Sequence, residues 1–391
     1  MSSHSTVDQP TLRAWAYLSR VHEPPCPELA ALVRRVGPLE AADRIQRGNV
    51  DDALLSLTQA RREINRAAED LELIGRIGGR LVTPDDAEWP TLALTAFNGA
   101  VVRARPAGRP PLALWAVGPA RLDEIAHRAA ALVGTRAATN YGEYIAADLA
   151  AGLVDSDVAV VSGGAYGVDG AAHRAALGSD GTTVAVLAGG LDIPYPAGHS
   201  ALLHRIGRHG LVCTEYPPGV RPARHRFLVR NRLVAALAGA VVVVEAGLRS
   251  GAANTAAWAR ALGRVVGAVP GPVTSSVSAG CHALLRNGAE LITRAADIVE
   301  LVGQIGELAV EEPRPTTVLD RLTDPQRQIY EALPARGALT VDQIAVASGL
   351  LPERVLGPLA MLEVVGLVER QDGRWRIVRL GRPQAVPTSL V

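Results

Sequence analysis

The sequence predicts an α/β fold: an extended Rossmann-like, doubly wound and mainly parallel sheet, with a helical N-terminal module before it and a C-terminal winged-helix domain after it. Three observations carry this. Between residues 111 and 303 short apolar runs alternate with alanine-rich helical stretches, the pattern of a parallel sheet covered on both faces. Residues 11–75 hold helical periodicity alone. Beyond a charged, proline-rich link at 311–317 come three helical stretches and a hairpin, the winged-helix order.

At roughly 100–200 residues per domain, 391 residues suit two or three domains. The expected divisions are a module at 1–75, the Rossmann-like domain at 76–305, a linker at 306–318, the winged helix at 319–380 and a tail at 381–391. Apolar residues make up 48%, no apolar run approaches the ~18 residues a membrane span needs, and MSSHSTVDQP has no apolar signal core. Cys26, Cys213 and Cys281 are odd in number and far apart, so neither a disulfide framework nor a zinc site is indicated. A soluble, reducing, cytoplasmic setting without metal or cofactor is the expectation. Net charge is +1, which advertises no global attraction to nucleic acid. All 40 cationic side chains are arginine, an effect attributed to coding bias. Without lysine there is neither a Walker A phosphate loop nor a Schiff-base lysine, and both enzyme classes are excluded.

In chain order, 29–36 and 41–45 are apolar-periodic segments around the break Gly37-Pro38, and 51–73 continues helically. The segment 36–45 is similar to a helix-hairpin-helix, but it lacks the second turn glycine and a basic neighbour, so plain helical packing is the favoured reading. The Pro/Gly/Arg-rich stretch 103–111 looks like a boundary. Then come strands at 131–133, 158–161, 183–187, 211–214, 240–244 and 264–269, six or seven parallel strands in all. In the last part, helices at 324–333, 341–348 and 352–365 precede a hairpin around Asp372-Gly373. From 316 to 391 nine arginines face eight acids, which makes no obvious clamp for duplex DNA.

The strand-to-helix turns hold the candidate site. Open α/β sheets bind ligands at the carboxyl ends of their strands, where helix N-termini converge on anions. The first turn is Gly134-Thr135-Arg136, whose guanidinium can take a phosphate with two parallel hydrogen bonds. The second, Ser162-Gly163-Gly164-Ala165-Tyr166-Gly167, combines glycines that admit a close ligand with a hydroxyl donor. Asp169 and His173, four apart on the following helix, are either an acid-base pair or, the favoured reading, local bonds that fix the turn. Gly189 and Gly190 lie in a third turn. In 221–232 five arginines surround Phe227, and no acid occurs between Glu215 and Glu245. Arg224, Arg230, Asn231 and Arg232 with Phe227 suit single-stranded nucleic acid: cations for the backbone and a ring for a base. Ser250, Gly251 and Thr255 add donors after the strand 240–244.

With these elements in hand, the chain resembles the DprA (Smf) family of DNA-processing proteins. The resemblance rests on Gly134-Thr135-Arg136 for GxR, on 162–169 with Ala172-His173 for SGxAxGxD…AH, on 188–192 with Tyr195-Pro196, on 227–232 for FPxRNR and on 250–255. It covers about 77–302, with Leu228 where the family usually has proline. It implies an extended Rossmann domain whose pocket holds the DNA backbone. Arg136 and 162–167 would contact phosphate. Arg224 and Phe227 would form a basic, stacking wall, completed or held in place by Arg230, Asn231 and Arg232. It also implies single-stranded DNA and RecA as partners, loading of RecA in natural transformation, and a homodimer. Two rival readings remain. One is a nucleoside monophosphate hydrolase, whose acid would be Glu245, though the PGGxGT run of that group is missing. The other is a duplex-DNA regulator acting through the winged helix.

Overall fold

Asp8 starts the first helix by accepting the Thr11 N–H at 2.9 Å, with Pro10 in the first turn, where a missing N–H costs nothing. The computed structural model describes residues 7–105, 107–303, 319 and 322–378. Helices α1 (Gln9–Arg20), α2 (Pro27–Val36), α3 (Pro38–Arg47), α4 (Asp52–Thr58) and α5 (Ala67–Arg76) form the N-terminal module. Gly37, at φ 80°, makes the turn between α2 and α3, and Ala41, Ala42 and Ile45 of α3 are buried. The inner faces of the module, including Trp15, Leu29, Ile45 and Ile74, share one apolar cluster with Leu81 and Trp115 of the sheet.

The sheet has nine strands in the order β1-β2-β6-β5-β4-β3-β7-β8-β9. Strand β1 (Gly79–Val82) and β2 (Leu114–Val117) flank the short helices α6 (Thr91–Leu94) and α7 (Ala100–Arg103), and α8 (Leu122–Ile125) leads to β3 (Ala129–Val133). The winding continues with α9 (Asn140–Val154), β4 (Ala159–Ser162), α10 (Val168–Gly178), β5 (Thr183–Leu187), α11 (Ser200–His209) and β6 (Leu211–Thr214). Helix α12 (Arg224–Ala236) carries the chain back across to β7 (Ala240–Val243), which pairs with the opposite side of β3 in parallel register, Ala131 against Val241. Then follow α13 (Gly251–Ala261), β8 (Val265–Ala268), α14 (Ala279–Arg286), β9 (Glu290–Leu291) and α15 (Ala295–Val302). Strands β3, β4, β5 and β7 are buried on both faces, each between two apolar clusters, as their largely apolar runs require.

The Rossmann-like, mainly parallel sheet is the one expected, with seven parallel strands from β6 through β9. It differs at its edges. Strands β1 and β2 pair antiparallel with each other, and β2 pairs antiparallel with β6. The stretch 103–111 therefore joins two neighbouring strands of one sheet and is no boundary. Arg105 donates to the Ala257 carbonyl at 2.7 Å and lies over Trp258, which fastens this stretch to α13.

Residues 1–310 form one compact unit and 311–391 a second. In the second, α16 (Asp324–Ala332), α17 (Val341–Ser348) and α18 (Pro352–Val364) precede the hairpin of β10 (Val368–Gln371) and β11 (Arg374–Ile377), with Asp372 and Gly373 at positive φ in its turn. This is the expected winged helix. Thr323 with Gln326, and Thr340 with Gln343, form the capping boxes that start its first two helices. The expected linker 306–318 and tail 381–391 fall outside the described residues. Among the described residues no single helix is long and apolar enough to cross a membrane.

Candidate nucleic-acid interface

Because α12 crosses from β6 to β7, the strand order reverses between β3 and β7, and a crevice opens at their carboxyl ends. An open cleft of about 800 Å³ lies there. Its floor is Gly134 to Arg136 after β3, with Gly163 and Ala165 after β4. One wall is the first turns of α12, with Arg224, Phe227, Arg230 and Asn231, and the other is Ser250, Gly251 and Thr255 at the start of α13.

Residues far apart in sequence converge on Phe227. The Arg136 guanidinium lies 5.1 Å from its ring centroid, the Arg230 guanidinium 5.9 Å, and the Tyr195 ring packs on it at 5.6 Å and 52°. Arg136 and Arg224 are exposed, and neither forms an ion pair among the described residues. The N–H groups of a helix's first turn have no intrahelical partner, so the starts of α12 and α13 add donors on either side.

The sequence-predicted residues divide into three groups. Gly134, Arg136, Gly163, Ala165, Asp169, Arg224, Phe227, Arg230, Asn231, Ser250, Gly251 and Thr255 all line the cleft. Some of these are already committed. Arg230 is buried and donates to the carbonyls of Gly163, at 2.8 Å, and Val186. Burial pushes its pKa down to about 10, opposed by Asp169 and aided by Arg136, so it stays charged at neutral pH. Asn231 donates to Gly251 O and Asn254 Oδ1. Thr255 Oγ1 donates to Gly251 O, and Ser250 Oγ caps α13 through Ala253 N. A Cβ on Gly163 would press into the Arg230 guanidinium, which explains the glycine there.

The second group supports the floor. Asp169 Oδ2 accepts the N–H groups of Gly163 at 3.1 Å and Ala165 at 3.3 Å, closing the turn. Burial raises its pKa, while Arg230 and these amides oppose the rise. Gly164 and Gly167 take the positive φ values, 70° and 73°, that the turn requires. Gly190 N donates to Val220 O, and Gly189 packs against Val220 and Pro222, so the third turn braces the loop before α12.

The third group is a set of corrections. Ser162 is fully buried and its hydroxyl donates to Leu132 O, so it offers nothing to a ligand. His173 bonds Thr183 Oγ1 of β5 at 2.7 Å, not Asp169 or the turn, so the favoured local bond fixing the turn is made by Asp169 alone and the acid-base pair does not form; burial lowers the His173 pKa to about 3. Arg232 is fully buried in an ion pair with Glu215 at 2.7 Å and is no part of a binding wall. Arg226, in the same run, pairs with Glu23 of the N-terminal module. The run 221–232 is thus a helix whose faces serve different purposes. Its cleft face carries Arg224, Phe227 and Asn231, at helical spacing three, four and seven. Thr135, Tyr195 and the exposed Leu228 also line the cleft; all three fall within the quoted motifs, which gave none of them a contact role. Placed on a helical wheel, the run points to Leu228, four residues after Arg224. For Tyr195 the signal is the Tyr195-Pro196 motif, an aromatic side chain next to a turn.

Glu245, the acid a hydrolase would need, is buried and does not line the cleft. Its two oxygens accept Thr139 N at 2.9 Å and Thr139 Oγ1 at 2.7 Å, which starts α9. Among the described residues no group of three His, Cys, Asp or Glu is placed to hold a metal ion.

Comparison with known proteins matches residues 80–303 to the family model described as DNA recombination-mediator protein A, and 312–374 to the DprA winged helix domain. A Mycobacterium tuberculosis protein carrying the DprA name is 76% identical over 376 residues, covering 96% of this chain and 97% of its own. Protein Smf of Synechocystis is 32% identical over 329 residues, covering 75% and 79%. The X-ray structure of DNA processing protein A from Streptococcus pneumoniae, 28% identical, superposes with a TM-score of 0.60 over 75% of this chain and 98% of its own.

Proposed function

The chain belongs to the DprA (Smf) family of DNA-processing proteins, and on that premise we propose that it binds single-stranded DNA in the cleft at the β3–β7 switch point. The bound strand is protected and passed to RecA in the course of DNA uptake; the protein acts in the cytoplasm as a homodimer and performs no chemistry on the strand. The observation that carries this reading is the cluster around Phe227, where two guanidinium groups and a tyrosine ring surround an aromatic face in an open cleft. Guanidinium groups suit a string of phosphates, and a ring suits a base that has left its stack. Arg136 and Arg224 would hold the backbone, Phe227 and Tyr195 would stack, and Arg230, Asn231, Ser250, Gly251 and Thr255 would shape the walls. In the hydrolase reading the acid is Glu245, and its engagement with Thr139 speaks against that reading.

The test is competition. A labelled oligo-dT should bind with sub-micromolar affinity that weakens as salt rises, and unlabelled single strand should displace it far better than duplex of equal length. Equal displacement by duplex, or release of free base from a nucleoside monophosphate, would refute the proposal.

A further inference from the structure

The N-terminal module holds the cleft wall at one point. Glu23, in the loop after α1, accepts from Arg226 Nε at 2.6 Å and Nη2 at 2.9 Å, a two-pronged pair. Arg61 donates to the same carboxylate at 2.9 Å and to the His22 carbonyl at 2.9 Å. His225 Nε2 lies 3.3 Å from it. Beside this, Arg20, paired with Asp70, donates to Pro218 O at 2.6 Å. Burial raises the Glu23 pKa, but Arg226 and Arg61 outweigh it and hold the carboxyl at about 2, so it is ionised throughout the working range. Arg226 packs over Tyr216 at 5.1 Å and does not line the cleft, whereas its neighbours Arg224, His225 and Phe227 do. The module thus contacts α12's first turn through Arg226, between the cleft residues His225 and Phe227.

We propose that Glu23 is a positioning residue for DNA binding: through Arg226 it sets the Arg224–Phe227 turn of the cleft without itself meeting nucleic acid. This rests on the single-strand reading above. Its sign is diagnostic. Removing a carboxylate near a polyanion site should strengthen binding by charge alone, whereas loss of positioning weakens it.

The experiment uses the full chain with Glu23→Gln, and Glu40→Gln as a control that removes an exposed module carboxylate paired, among the described residues, only with Arg44. Oligo-dT affinity is read over a salt series, and amide hydrogen exchange over 221–229 without DNA. Expected for Glu23→Gln is a loss of about three- to tenfold with the salt slope unchanged, because no phosphate contact is removed. Exchange over 221–229 should rise, and Glu40→Gln should match wild type in both. Binding equal to or tighter than wild type, or unchanged exchange, overturns the proposal. Should Glu23→Gln lack a cooperative melt, Glu23→Asp, which keeps the charge and shortens the reach, is put through the same two measurements, and the same results support or overturn the proposal. Should wild type fail to bind oligo-dT, the single-strand reading falls, and the exchange measurement alone still decides whether Glu23 holds the turn.

Discussion

Replacing Arg136 by alanine and Arg232 by methionine separates the arginine proposed to meet DNA from one that holds the fold. Arg136 is exposed, has no ion-pair partner among the described residues, and touches Phe227 at 5.1 Å. A charge-assisted bond to phosphate is worth about 1.5–3 kcal/mol and the cation–π contact about 0.5–1 kcal/mol. The cation–π contact exists without DNA, so the phosphate bond alone sets the loss, and Arg136→Ala should weaken oligo-dT binding by about 10- to 150-fold. It should lower the slope of log K against log salt by about 0.7 and leave stability within about 1 kcal/mol, the worth of the cation–π contact. Arg232 is the reverse case. It is fully buried against Glu215, and removing it leaves a buried carboxylate unpaired at a cost of about 3–5 kcal/mol. Arg232→Met should lower the melting temperature by roughly 6–20 °C, while the folded protein binds oligo-dT within about twofold of wild type, well below one phosphate contact. Fluorescence anisotropy in a salt series, with calorimetry on the same samples, reads both. An unchanged salt slope for Arg136→Ala would refute the phosphate contact, and lost affinity with an unchanged melt for Arg232→Met would return Arg232 to the interface.

Phe227→Ala should weaken oligo-dT binding by about 1–3 kcal/mol, with Phe227→Tyr near wild type and the salt slope the same in both, as stacking demands; a changed slope argues against it. Gly163→Ala should push the Arg230 guanidinium from its carbonyl partners and lower both stability and affinity, read by calorimetry and anisotropy. Acidification should destabilise the fold through buried neutral histidines: burial holds His22 at about 4 and His173 at about 3, so the unfolded chain binds protons first. Stability from these groups is complete above about pH 6.5 and falls by up to about 1.4 kcal/mol per pH unit for each as pH drops towards those values. A melting curve taken from pH 7 to pH 4 should flatten in His173→Asn; an identical slope would assign the acid sensitivity elsewhere.

Most of the parallel strands were legible as apolar runs, several of them closed by glycine as at 158–164, whereas the two-residue β9, Glu290-Leu291, left no such run. Strands β1 and β2 were not, since four residues of mixed burial carry little period and their partners lie some thirty residues apart or more. In the site, backbone turns were legible from their glycines, but side-chain direction was not. Ser162 looks like a donor until the pleat of β4 turns it to Leu132 O. The arginine run looks like a uniform positive tract until the 100° step of a helix sends Arg226 to Glu23, Arg232 to Glu215 and Arg224 to the cleft. Spacing within 221–232 held that information, whereas the pairing of two of the arginines with Glu23, 203 residues away, and Glu215, 17 residues away, was visible only in three dimensions.

Asp169 gives the cleft a kinetic character. By taking the amides of Gly163 and Ala165 it occupies from within the donors that a glycine-rich turn usually offers to an incoming anion. A strand lying here would then be gripped chiefly by guanidinium groups at the rim, where small ions compete freely and each contact can let go on its own. Such a grip would release a bound strand step by step, one phosphate at a time.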